Sequence, residues 1–78
     1  MKANRVYDLK VAKGGRGPAA LDPDRLDSIE VLEIETGEIA LFWDLRPRDT
    51  GRMARALRAD LAQLPADEFL AKWRRWEG

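Results

Sequence analysis

Apolar and polar residues alternate along three short segments in the first part of the chain. Residues 28–35, SIEVLEIE, and 38–45, EIALFWDL, are rich in residues that favour β-strands, and residues 5–12 alternate well enough for a third strand. Thr36 and Gly37 separate the first two segments, and glycine tolerates the positive φ that a tight hairpin turn requires. The pattern therefore predicts an antiparallel hairpin, 28–35 with 38–45, and a third strand over 5–12.

The length of the turn decides which side chains share a face of this hairpin. A two-residue turn pairs Leu32 with Leu41 and Val31 with Phe42. Because Thr is less favoured than Asn or Asp at the first turn position, a slightly longer, bulged loop is the alternative. The more apolar face then consists of Leu32, Ile34, Ile39, Leu41, Trp43 and Leu45. The opposite face carries Ile29, Val31 and Phe42. A slip of one residue in the pairing would exchange the two faces.

The apolar spacing becomes helical in the second part of the chain. Residues 50–64 carry apolar residues spaced four, four and three positions apart, which places them on one face of a helix. Pro65 ends this helix, and a second one is predicted over 66–76, with acids in its first turn and basic residues near its end, as the helix dipole favours. The residues expected to cover the sheet are Met53, Leu57, Leu61, Phe69 and Trp73.

The order of these elements predicts an α+β fold, in which two C-terminal helices pack on one face of a small antiparallel sheet. The 78 residues form one small domain. The sequence KGGRGP at residues 13–18 cannot sustain a helix or a strand, so residues 13–24 are predicted to be a flexible loop rich in glycine and proline. One short helical turn is compatible with residues 18–26.

The composition removes the usual catalytic and metal-binding groups. The chain has no His and no Cys, and Ser28 is its single serine. Disulfides, zinc sites of the Cys/His type and Ser–His or Cys–His nucleophiles cannot be built from it. Asp22, Asp24 and Asp27 lie close together but lack the spacing of a calcium loop. We expect no enzymatic activity, no metal, no cofactor and no small-molecule substrate.

The sequence also bears on location and origin. No stretch is long and apolar enough to be a transmembrane helix, and the first residues lack the apolar core of a secretory signal. We therefore expect a cytoplasmic protein that has no contact with a membrane. Arginine outnumbers lysine and alanine is abundant, which is typical of a GC-rich bacterial genome.

Charge is distributed unevenly although the formal net charge is zero. Residues 17–44 contain eight acids and one arginine, whereas the segments on both sides of them are basic. On the predicted helix, Arg48, Arg52 and Arg55 cluster opposite the apolar face, with Arg58 at the edge, and Arg46 extends the row. A row of arginines on a helix can bind phosphates, so nucleic-acid binding is the alternative function.

The favoured function is a non-enzymatic protein–protein interaction or regulatory module. A core of this size supplies little net stability, and a partner subunit is one way to supplement it. The partner would be another protein or a second copy of the chain in a homodimer. The residues predicted to bind it are Ile29, Val31 and Phe42 on the second sheet face, and Trp76 at the end of the second helix.

Overall fold

The computed structural model describes residues 1–13 and 26–77. A 3₁₀ turn, Ala3–Arg5, precedes the strands β1 (Tyr7–Ala12), β2 (Asp27–Glu33) and β3 (Ile39–Leu45) and the helices α1 (Pro47–Gln63) and α2 (Ala66–Arg74). The strands form one antiparallel sheet in the order β1-β2-β3, and the helices pack against it. The predicted α+β fold is confirmed. Except for Lys13 and Leu26, the predicted loop 13–24 and the helical turn within 18–26 lie outside the described residues.

The helix α1 begins three residues before its predicted start. Arg46 is its N-cap, and Pro47 occupies the first turn, where its missing N–H costs nothing and its fixed φ suits a helix. Thr50 is buried, and its hydroxyl donates to the carbonyl of Arg46 at 3.1 Å. Thus the proline that ends strand β3 also starts the helix. At the other end of the chain α2 stops at Arg74, so Trp76 lies outside it.

The β2–β3 turn is longer than two residues. Glu33 donates to the carbonyl of Glu38 at 2.8 Å, and Gly37 donates to the carbonyl of Glu33 at 2.7 Å, so residues 34–37 form the loop. Gly37 has a φ of 76°, the left-handed region that glycine enters without cost. The Thr36 hydroxyl accepts a hydrogen bond from Glu38 N–H at 3.2 Å, which ties the end of the loop.

We expect Gly37→Ala to lower the free energy of unfolding by about 1–2 kcal/mol, because a Cβ is strained at this φ even where space is open. No atom lies within 4 Å of the added Cβ, so the backbone alone causes the loss. Gly51→Ala is the matched control, since Gly51 lies in α1 with equally open space and no positive φ. It should raise the free energy by about 0.5–1 kcal/mol. Urea denaturation of both variants measures the pair, and equal shifts would contradict the assignment.

The predicted register of the hairpin is wrong by one residue over most of its length. Leu32 pairs with Ile39, but Val31 pairs with Leu41 and Ile29 with Trp43, so the register shifts between Val31 and Leu32. The shift leaves Ala40 as an extra residue on β3, which is a β-bulge. The faces of β2 are therefore exchanged relative to the prediction.

Because the faces of β2 are exchanged, the core residues of this strand differ from the predicted ones. Ile29 and Val31 are fully buried beside Leu41 and Trp43, on the face that the helices cover. Of the residues assigned to that face from the sequence, Leu32, Ile34 and Ile39 do not belong to the core, whereas Leu41, Trp43 and Leu45 do or pack against it. Ile34 lies in the turn.

The helices were assigned correctly as the cover of the sheet. The helix α1 packs on β1 and β2, and α2 packs on β3. Leu57, Leu61, Phe69 and Trp73 are buried, and Met53 is partly buried against them. Two aromatic pairs join the layers: Tyr7 lies 5.9 Å from Phe69, and Trp43 meets Trp73 edge to face at 6.1 Å between ring centroids.

The N-terminal residues are hydrogen-bonded to the junction between α1 and α2. Ala3 is fully buried and donates its N–H to the carbonyl of Leu64 at 2.9 Å, and Ala66 N–H donates to the carbonyl of Met1 at 3.1 Å. The Lys2 ammonium adds a bond to the carbonyl of Gln63 at 2.7 Å. The first residues therefore bind the junction between the two helices and not the opposite face of the sheet.

Candidate functional site

One face of the sheet carries neither helix. We call it the open face. The strand register aligns its side chains in three rows across β1, β2 and β3: Asp8–Leu32–Ile39, Lys10–Glu30–Phe42 and Ala12–Ser28–Asp44. None of these side chains is buried. Alternate residues of a strand point to opposite faces, so the residues next to the buried ones lie on the open face.

The partner-binding residues predicted from the sequence are divided between the two faces. Phe42 lies on the open face, as predicted, and 37% of it is exposed. Ile29 and Val31 were predicted to lie beside it, which is wrong: both are fully buried under the helices. In their place the bulge brings Leu32 and Ile39 to the open face, and Ile39 is 53% exposed.

The apolar part of the open face is a patch made of Phe42, Leu32 and Ile39. Phe42 and Ile39 are on β3, and Leu32 is on the central strand, partly buried. Single exposed apolar residues are ordinary on a protein surface, whereas adjacent ones on one sheet face are typical of a contact surface. The patch lies at the β3 side of the face.

Charged residues surround this patch. Glu30 is partly buried on the central strand between Lys10 and Phe42, and it forms no ion pair with any described residue. Asp8 and Asp44 are exposed on the two outer strands. Among the described residues, the three rows of the open face therefore hold three carboxylates and one ammonium group.

Both outer strands of the sheet have a backbone N–H bonded to a carboxylate. On β1, Leu9 N–H donates to the Oδ1 of Asp8 at 2.9 Å. On β3, Phe42 N–H donates to an Oε of Glu77 at 3.0 Å. Each carboxylate occupies the place that the carbonyl oxygen of an added strand would take. Edges blocked in this way resist pairing with a further strand.

The C-terminal residues are held on the β3 edge by a small network. The indole N–H of Trp43 donates to the carbonyl of Trp76 at 2.8 Å. Asp60 on α1 accepts from the indole N–H of Trp73 at 2.9 Å and from the Lys72 ammonium at 2.6 Å. These bonds fix the end of α2, and they place Glu77 against Phe42.

Trp76 does not join Phe42 on the open face. Its side chain is 67% exposed and lines a shallow concavity along α2 together with Glu68, Ala71, Lys72 and Arg75. These positions lie on a side of α2 that does not carry the buried Phe69 and Trp73. The backbone of Trp76 is structural, since its carbonyl accepts from Trp43.

We expect Glu77→Ala to speed amide hydrogen exchange at Phe42 and to lower the free energy of unfolding by about 0.5–1.5 kcal/mol, because the edge N–H loses its acceptor. Glu68→Ala, an exposed carboxylate of α2, is the control and should leave exchange at Phe42 unchanged. Exchange measured by NMR on both variants tests the contact. Unaltered exchange at Phe42 in the Glu77 variant would show that the carboxylate does not hold this edge.

The four arginines of α1 and Arg46 at its N-cap form a second surface on the other side of the molecule. All five are exposed, and none forms an ion pair with a carboxylate of the described residues. They are Arg46, Arg48, Arg52, Arg55 and Arg58. The buried residues of α1 lie on the side that faces the sheet, so Arg48, Arg52 and Arg55 point outward, as predicted. Arg58 is at the margin, in a concavity with Tyr7 and Asp8.

Within residues 1–13 and 26–77, no group of three or more metal-binding side chains comes together. In that same part of the chain neither helix has the length and apolar character needed to cross a membrane. No protein-family model, no curated protein and no solved structure matches the chain. The open face and the arginine surface are therefore the two features of the molecule that bear on its function.

Sequence reasoning missed the polar half of the open face. Lys10 and Glu30 were visible as charged residues, but only the register of three strands places them in one row with Phe42. It also missed the bond from Phe42 to Glu77, which joins residues far apart in the chain. The charge alternation of β1, with Asp8 and Lys10 between apolar residues, was the available signal for a solvent-facing side.

Proposed function

We propose that the protein is a non-enzymatic protein–protein interaction module and that it binds its partner through the open face. The observation that carries this proposal is the one-sided cover of the sheet. Both helices pack on the same face, and Phe42, Leu32 and Ile39 are left together on the other. The lack of His and Cys supports a binding role over catalysis.

The blocked strand edges support the face as the contact. Strand addition needs a row of free backbone groups, and the carboxylates of Asp8 and Glu77 each occupy one N–H group on an outer strand. A face contact instead uses side chains that are already exposed. The aromatic ring of Phe42 is the natural anchor, since aromatic residues contribute strongly to binding energy at interfaces.

The test compares Phe42→Glu with Ile34→Glu. Both variants introduce a carboxylate in place of an exposed apolar side chain, but Ile34 is 54% exposed and lies in the turn, beyond the three rows that pair across the sheet. Each tagged variant is used for nuclease-treated affinity capture from cells of its own source and for sedimentation velocity at several concentrations. We expect a stoichiometric protein partner, or self-association, that Phe42→Glu abolishes and Ile34→Glu leaves intact. Identical behaviour of wild type and Phe42→Glu would overturn the proposal.

A second candidate function is nucleic-acid binding by the arginines of α1. It is supported by the alignment of Arg48, Arg52 and Arg55 on the outer side of the helix, free of ion pairs with described carboxylates. One guanidinium group can donate two parallel hydrogen bonds to a phosphate, and a row of such groups can contact successive phosphates of a nucleic-acid backbone. The formal net charge of zero weighs against it, because long-range attraction to a polyanion is then weak.

Fluorescence anisotropy with labelled duplex and single-stranded oligonucleotides tests this second function. If it holds, binding at low salt weakens as salt rises and is lost when Arg48, Arg52 and Arg55 are replaced by alanine. Replacement of Arg74 and Arg75, at the C-terminal end of α2, is the control for a general loss of positive charge. No binding at low salt, or equal binding by the triple variant, excludes it.

A further inference from the structure

We propose that the partner segment bound by the open face is cationic and amphipathic, with apolar side chains for the Phe42 patch and lysines or arginines for the carboxylates around it. This inference rests on the proposed function and adds the chemistry of the partner. It comes from the juxtaposition of Phe42, Leu32 and Ile39 with Asp8, Glu30 and Asp44 on one face of the sheet.

Glu30 is the central observation. It lies on the middle strand, partly buried, with Phe42 beside it on β3 and Lys10 beside it on β1. No described cation comes within ion-pair distance of it. A partner that covers Phe42 would remove water from this carboxylate, and a buried carboxylate without a counter-charge is costly. A partner that brings a cation avoids this cost.

The aromatic ring favours the same partner. A lysine or arginine placed over Phe42 would interact with the face of its ring as well as with Glu30 and Asp44, which lie on neighbouring positions. The long aliphatic stems of these side chains would also cover Leu32 and Ile39. One amphipathic segment can thus satisfy both the apolar patch and its acidic surroundings.

The carboxylates of the open face disfavour two other partners, a second copy of the chain and a nucleic acid. In a dimer formed face to face, the excess of carboxylates on one copy would meet the same excess on the other, which is unfavourable. A nucleic acid would bring phosphates to the same carboxylates. Arg48, Arg52 and Arg55 lie on the side of α1 that points away from the sheet, so they do not alter the balance around Glu30 and Phe42.

The test uses two synthetic, fluorescein-labelled helical peptides of about 18 residues, long enough to be helical when bound. They have identical leucine positions and differ only in lysine or glutamate on the polar face. At low ionic strength we expect the lysine peptide to bind the wild-type chain at least about tenfold more tightly, since several weak pairs act together. Phe42→Ser should reduce this binding by at least about tenfold.

Two matched charge variants locate the contact. Glu30→Gln with Asp44→Asn should weaken binding of the lysine peptide by about fivefold or more, whereas Glu35→Gln with Glu38→Gln, in and next to the turn, should change it by less than about twofold. Circular dichroism verifies that every variant is folded. Equal affinity for both peptides, or equal loss in both charge variants, overturns the inference.

The outcome is separable from that of the proposed function. If Phe42→Glu abolishes capture of a partner or abolishes a dimer while the lysine peptide shows no preference, the open face is an interaction surface and only the partner chemistry is wrong. In particular, a wild-type homodimer that Phe42→Glu converts to a monomer would assign the face to a second copy and reject the cationic partner.

Discussion

Replacing Ile29 by alanine should lower the free energy of unfolding by about 2–5 kcal/mol, whereas the same change at Ile39 should cost less than about 1 kcal/mol. Ile29 is fully buried on β2, opposite Trp43. Its truncation leaves a cavity under α1 in addition to the lost transfer energy of the removed atoms. Ile39 is 53% exposed on the open face, so its truncation removes little buried surface.

A domain of this size has a free energy of unfolding on the order of 4–10 kcal/mol, so the Ile29 variant should lose a large part of it at room temperature. Urea denaturation followed by tryptophan fluorescence gives both values, because Trp43 and Trp73 lie in the core. These two variants distinguish the registers, because the two-residue turn expected from the sequence would make the loss in free energy of unfolding larger at Ile39 than at Ile29. A larger loss at Ile39 than at Ile29 would mean that the hairpin has the unshifted register.

The helices show how much of the fold is readable from the sequence. Apolar residues four and three positions apart can lie only on one side of a helix, so Leu57, Leu61, Phe69 and Trp73 were assigned to the core without knowledge of the sheet. The start of α1 at Pro47 was missed, although proline suits the first turn of a helix, because the apolar spacing gives no sign of that turn.

The sheet was only half readable, because a strand's two faces are separated by a single residue. The loop of residues 34–37 moves the pairing by two positions, which preserves the faces, and the bulge at Ala40 then moves it by one, which exchanges them. Nothing in the run EIALFWDL marks Ala40 as unpaired. Every candidate on the open face except Phe42 depended on that residue.

The sequence therefore predicted that a second apolar sheet face exists, but not which residues form it. A second sheet face with apolar residues was expected, and the structure has one, but Leu32 and Ile39 replace Ile29 and Val31 on it. Charge was the other missing part. The acidic middle segment of the chain was evident, yet its placement around Phe42 depends on strand pairing with β1 and could not be read from order alone.

Replacing Phe69 by alanine should have the largest effect of any truncation, a loss of about 3–5 kcal/mol. The chain has two phenylalanines, and Phe42→Ala, with the ring at the open face, is the matched control, with an expected loss below about 1 kcal/mol. Phe69 is fully buried in α2 and packs against Tyr7.

The Phe69 effect should be large because α2 depends on docking. A helix of nine residues is not stable by itself, so its place is held by Phe69, by Trp73 against Trp43 and by the Asp60 bonds. Loss of Phe69 should also release Glu77 from the β3 edge, and amide exchange at Phe42 should then become fast along with exchange throughout α2.

Thermal denaturation and hydrogen exchange on the two phenylalanine variants decide the matter. If Phe69→Ala melted within a few degrees of wild type, α2 would contribute little to the domain, and the covered face of the sheet would have to be reassigned. If Phe42→Ala were the more damaging change, the open face would be part of the core. The expected result, stability lost at Phe69 and retained at Phe42, leaves the Phe42 side chain available for a partner because folding does not require it.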